Sequence, residues 1–154
     1  MKAEYLNPFI EATNRVFQTM LNLEPEKKEL KMEEDLITSN DANVVLGVTG
    51  DLQGTVIFGF PEEMTLKMVK EMSGMEMAEI NSFVSSALGE VANIISGNAM
   101  TILHDENLSC DIVPPRIFIG EYKSFAVEEE QPLVLTLSTA MGEFDLNLFL
   151  KEKE

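Results

Sequence analysis

The stretch SSALGEVANIISGNAM, Ser85 to Met100, decides how this chain is organised. Advancing about 100° per residue along a helix collects Val84, Leu88, Val91, Ile95, Ala99 and Ile102 into one stripe. Ser82, Ser86, Glu90, Asn93 and Gly97 fall in a narrow arc on the opposite side. The spacing predicts a long helix from about Asn81 to Leu103, with the apolar stripe buried and the polar arc facing outward.

The polar arc has an odd composition. An exposed helix face in a charged protein ordinarily carries several Lys, Glu or Arg residues, yet Glu90 is the only charge between Ile80 and Leu103. Its neighbours are Ser, Gly, Ala and Asn, which leave the helix backbone approachable. Glu90 and Asn93, at i and i+3, project together from it. Such a face suits close docking by another macromolecule. The same Glu-x-x-Asn spacing recurs at Glu11–Asn14, but there long polar neighbours, Arg15 and Gln18, indicate a plain solvated surface.

Outward from this helix, the rest of the chain alternates between two periods. Leu6, Phe9, Ile10, Val16, Phe17 and Met20 share one face of a first helix expected from Asn7 to Leu23, with Pro8 in its first turn. A short edge strand is expected near Leu30 to Met32. Val44 to Thr49 and Thr55 to Phe60 read as two strands of a hairpin around a Gly50–Gly54 turn. The glycine spacing matches neither a dinucleotide fingerprint nor a phosphate loop. Pro61 opens a second helix that ends at Gly74. A loop at Asp105–Asp111 leads to a strand entered through Pro114-Pro115. Leu133, Leu135 and Leu137, then Phe144, Leu146, Leu148 and Leu150, alternate with polar residues as an antiparallel hairpin. Glu128–Glu130 reads as a solvated turn. The order predicts one domain spanning 1–154, of α/β class in its α+β form, with three helices packed on a mostly antiparallel sheet.

Composition narrows the functions. With 154 residues and 45% apolar content, the chain can bury a core. No apolar run reaches bilayer length and no signal-peptide pattern opens the sequence, so a cytoplasmic location is expected. A formal net charge of -16 opposes binding to nucleic acid or to an anionic membrane. Cys110 is the only cysteine and His104 the only histidine. Neither a thiolate cluster nor a multi-histidine metal site can form, and no bound metal is expected.

The set Ser86, Glu90 and Asn93, followed by Pro114-Pro115, resembles the Ser/Asp-x-x-x-Glu-x-x-Asn helix signature and downstream proline of the CheC/CheX family of chemotaxis phosphatases. "VVLGVTGDLQGTVIFGF", "LGEVANIISGNA" and the first helix extend the likeness over most of the chain. The single convincing signature is similar to the CheX branch, since CheC typically carries two.

The resemblance implies dephosphorylation of the aspartyl phosphate on a CheY-like response regulator. Asn93 would align the attacking water, and Glu90 would engage the regulator's active-site lysine. Ser86 and Gly97 would contact the partner. Mg²⁺ would belong to the receiver domain, with no cofactor bound by this chain. The resemblance also implies a homodimer paired through its sheets. The rival expectation is a non-catalytic module that binds a receiver domain or a flagellar or chemotaxis component, because flagellar-switch domains share the fold. Loss of phosphate from a receiver separates the two; a small-molecule sensor has no residue cluster behind it.

Overall fold

The computed structural model describes residues 3–32, 36–37, 41–120, 125–126 and 132–153. A 3-10 turn, Ala3–Leu6, leads into helix α1 (Asn7–Val16), with Pro8 in the first turn, where a missing N–H costs nothing. The helix path continues beyond Val16, but it widens into a π turn over Phe17–Leu21 and stops at Asn22, whose φ is +53°. The first helix therefore ends about where the periodicity places it, with a different last turn. Phe17 and Leu21 both point inward and are fully buried.

Strands β1 (Glu26–Met32), β2 (Leu36–Ile37), β3 (Ala42–Gly50) and β4 (Leu52–Phe60) follow, then helices α2 (Glu62–Ser73) and α3 (Ser82–Asp105). The chain ends with β5 (Cys110–Ile112), β6 (Arg116–Ile119), β7 (Phe125–Ala126), β8 (Leu133–Thr139) and β9 (Gly142–Glu152). Among the described residues, seven strands form one antiparallel sheet in the order β1-β8-β9-β4-β3-β5, with β6 also paired to β3. β2 and β7 make a separate two-stranded pair. The expected class, three helices on a mostly antiparallel sheet, is the one observed.

Period-two alternation makes the main core. Val44, Leu46, Val48, Val56, Phe58, Leu135, Leu137, Leu146 and Leu148 are buried on one sheet face with Phe9, Val16, Leu88 and Ile95 of the helices. Each such side chain contributes roughly 1.5–3 kcal/mol relative to exposure. At one end, Phe17, Phe60 and Phe144 cluster, with ring centroids 5.0 Å (Phe17–Phe144) and 5.2 Å (Phe60–Phe144) apart. Helix α2 begins after Pro61, which offers no side-chain cap, and the carboxylate of Asp41 accepts from the Glu62 N–H at 2.9 Å instead.

The structure departs from the sequence reading in three places. The β3–β4 turn is tighter than Gly50–Gly54, because both strands run on until Asp51 alone remains between them. Asp51 is held there by backbone bonds with Ser109 and Lys153, and its carboxylate accepts from the Ser109 N–H at 2.7 Å. Gly54 lies inside β4 at φ +148°, and a Cβ there would sit 1.7 Å from the Phe149 carbonyl oxygen, so only glycine fits. Secondly, the expected loop Asp105–Asp111 already contains the start of β5. Thirdly, Asn147 is not an outward-facing polar residue. It is 3% exposed, in a cross-strand row with Val134 and Ile57, both also buried. Its Nδ2 donates to the Ile57 carbonyl at 3.2 Å. The Glu128–Glu130 turn lies outside the described residues.

Tyr5, buried at the start of the chain, donates its hydroxyl to the Glu152 carboxylate at the end of β9. Burial, then the bond to Glu152 and its negative charge, pushes the phenol up to about 12. The unfolded phenol ionises near its ordinary value of 10.0. Between these values the unfolded chain has released a proton that the folded chain keeps, so stability falls as pH rises. The stability difference between wild type and Tyr5→Phe is expected to be full below about pH 10 and to shrink as pH approaches 12. Thermal melts of both proteins across that range measure it.

Candidate functional site

Asn81 caps α3, its side-chain oxygen accepting from the Val84 N–H at 3.0 Å. From that fixed start the apolar stripe sets the rotation of the helix. Val84, Leu88, Val91, Ile95, Ala99 and Ile102 are all buried, against α1 and the strands β3, β5 and β6. Ser82, Ser86, Glu90, Asn93 and Gly97 are all exposed. The predicted site residues therefore share one continuous outward face.

Among the described residues, no hydrogen bond or ion pair engages the side chains of Glu90 or Asn93. A free carboxylate and a free carboxamide thus stand one helical turn apart. A carboxamide can accept from one group while donating to another, and a carboxylate can accept from a cation such as an ammonium group. Both groups are exposed on the outer face of the helix. A cleft of about 420 Å³ lies between α1 and β1, lined by Leu6, Ile10, Lys27 and Leu30 among others, and no α3 residue lines it. The arrangement suits insertion into a cavity of another molecule.

The second Glu-x-x-Asn pair is built differently. Glu11 is bound at 2.6 Å by Arg15 on the next turn. Asn14 is half-buried, and its carboxamide oxygen is enclosed without a hydrogen-bond partner. Asn14 thus departs from the plain solvated surface expected there, and with Glu11 paired and the Asn14 oxygen enclosed, α1 does not repeat the two free groups of α3.

Two exposed apolar residues, one in the first turn of α3 and one in the segment before it, were not singled out by the sequence reading. Phe83, in the first turn of α3, is 41% exposed, and Met75, in the α2–α3 connection, is 50% exposed. Phe83 precedes Glu90 by seven residues, two helical turns, and so lies on the same line. That spacing was the available signal. Among the described residues, no cluster of three or more His, Cys, Asp or Glu side chains is arranged to hold a metal ion. No helix there is long and apolar enough to cross a membrane.

The sequence model of the family described as "Chemotaxis phosphatase CheX" matches residues 42–138, well over half of the chain. The chain belongs to the CheX family. The family's description places it among the phosphatases, enzymes of the hydrolase class. The match spans α3 and its polar face. A curated relative, CheY-P phosphatase CheX of Thermotoga maritima, is 28% identical over 98% of both chains. A solved CheX structure from Desulfovibrio desulfuricans aligns with a TM-score of 0.85 at 25% identity, covering 97% of this chain and 99% of that one. The CheX–CheY–BeF3–Mg²⁺ complex from Borrelia burgdorferi aligns with a TM-score of 0.80 at 25% identity, over 98% of this chain and 100% of the matched chain.

The two faces of α3 respond differently to truncation. Leu88→Ala removes a buried side chain and leaves a cavity, at an expected cost of about 2–5 kcal/mol. Asn93→Ala removes an exposed, unpaired group and introduces the best helix former, so stability should hold or rise slightly. Denaturant unfolding of the two variants beside wild type checks both.

Proposed function

We propose that this protein hydrolyses the aspartyl phosphate of a CheY-like response regulator by inserting the outward face of α3 into the regulator's active site. The observation that carries the reading is the exposed, unpartnered Glu90–Asn93 pair on a helix face otherwise free of charge. The names of the relatives support the substrate class, since one is a CheY-P phosphatase and another forms a complex with CheY.

The division of labour follows from the chemistry of an acyl phosphate, which is already reactive. What water lacks is position. In this reading the Asn93 carboxamide oxygen accepts a hydrogen bond from one water and holds that water's oxygen in line with phosphorus. The new P–O bond forms as the bond from phosphorus to the aspartyl oxygen breaks. The aspartate leaves as a carboxylate, and the water proton passes to phosphate and solvent. Glu90 binds the regulator's active-site lysine and fixes the orientation of the complex. Ser86 and Gly97 lie under the docked partner. Mg²⁺ belongs to the receiver domain, where it offsets the phosphoryl charge; this chain contributes side chains and no cofactor. The partner is a cytoplasmic protein, so this chain acts in the cytoplasm.

The decisive measurement is phosphate loss from phosphorylated receiver domains with and without this protein. Asn93→Ala should lower turnover at least about a hundredfold while affinity stays near wild type. Glu90→Ala should weaken binding along with rate, and the wild-type complex should loosen as salt is raised. Receiver binding with no faster loss of phosphate would instead identify a non-catalytic module.

The same reading includes a homodimer paired through the sheets. It has a physical basis in β1, an edge strand whose outer side carries no described partner strand and whose Leu30 is 50% exposed. Light scattering at assay concentration is expected to give twice the 17.2 kDa chain mass. A monomer throughout would remove this part.

A further inference from the structure

Glu90 sits midway between two residues of opposite character. Phe83 is seven residues before it and Gly97 seven residues after, so both lie within about 20° of its direction and about 10 Å from it along the axis. Phe83 is a large side chain left 41% exposed at the helix start. Gly97 is exposed, and a Cβ added to it would meet nothing within 4 Å.

That emptiness matters because glycine inside a helix is unfavourable relative to alanine. Close packing within this chain does not require it at 97: there is room for a side chain. Gly89, on another side of α3, differs, since its Cβ would reach ordinary contact with Ile117. The reason for Gly97 therefore lies outside the chain, where another surface comes close to the helix backbone.

The size of a protein interface includes both positions. A stable one covers roughly 800 Å² per partner, a round patch of radius about 16 Å. Centred on Glu90 and Asn93, it extends past Phe83 at one end and Gly97 at the other. We infer that Phe83 anchors the phosphorylated receiver at one end of the α3 face and that Gly97 admits its closest approach to the helix backbone at the other. This deepens the receiver-phosphatase reading and rests on it. Aromatic side chains are enriched at protein interfaces, and one that becomes fully desolvated in a pocket of the partner contributes strongly to affinity.

The test is a set of steady-state assays with phosphorylated receiver, beside thermal melts. Gly97→Ala should raise the melting midpoint by about 2–4 °C, as alanine in an open helical position does. The same variant should raise KM roughly tenfold or more with kcat close to wild type. Phe83→Ala should leave the melt unchanged and raise KM by a similar factor, and Phe83→Leu should recover part of it. If wild type accelerates phosphate loss and Gly97→Ala and Phe83→Ala both keep its KM, the inference fails while the phosphatase reading stands. A lowered midpoint for Gly97→Ala would show that the fold itself requires the glycine, and would also overturn it. If wild type does not accelerate phosphate loss, the underlying reading fails and this inference falls with it.

Discussion

The direction in which Glu90 and Asn93 point depends on the rotation of one helix about its own axis. Eight apolar side chains of α3 are buried, and a rotation by one residue, about 100°, would pull their stripe out of the core. It would also carry Glu90 toward the interior, where a carboxylate without a partner is strongly disfavoured. The hydrophobic effect, itself without direction, thereby fixes the direction of two polar groups. The core is not merely what keeps the chain folded: it aims the site.

Most of this was legible from residues alone because α3 carries two independent signals. The 3.6-residue period locates the stripe, and the single charge in a long segment marks the opposite face as unusual. The terminal hairpin was equally plain, since strict alternation over two adjacent runs admits one pairing. What could not be read was settled by contacts far apart in sequence. The three-residue β5 exists because Val48 to Gly50 offer an edge, and Asp51 is pinned by Ser109 and Lys153. Nothing near Cys110 in the sequence announces that. Asn147 occupies a polar slot in a clean alternation, and its burial follows from cross-strand neighbours contributed by β4 and β8. The two copies of Glu-x-x-Asn divide the same way: Arg15 beside the first was legible in the sequence, and the enclosure of Asn14 was not.

Charge and docking work on different scales here. A net charge of -16 gives the whole molecule a repulsive field toward other acidic proteins. The α3 face withdraws from that field by carrying one charge along its length. Close contact then depends on shape and on a few groups at short range, where salt screening is weaker than it is between separated surface charges. A face of this kind trades attraction at a distance for selectivity at contact.

The position of β9 affects how the chain can reach its fold. This strand is the last described element, yet it lies inside the sheet between β8 and β4. As the polypeptide leaves the ribosome, β3 and β4 can form their local hairpin early, but β1 has no partner until β8 appears. The two halves of the sheet have no bridge until β9 does. The β4 edge therefore stays open until β9 joins the two halves of the sheet. Assembly is governed by long-range closure, the slow end of folding behaviour. Until closure the growing chain exposes strand edges and apolar surface, which is when it is most open to misassembly.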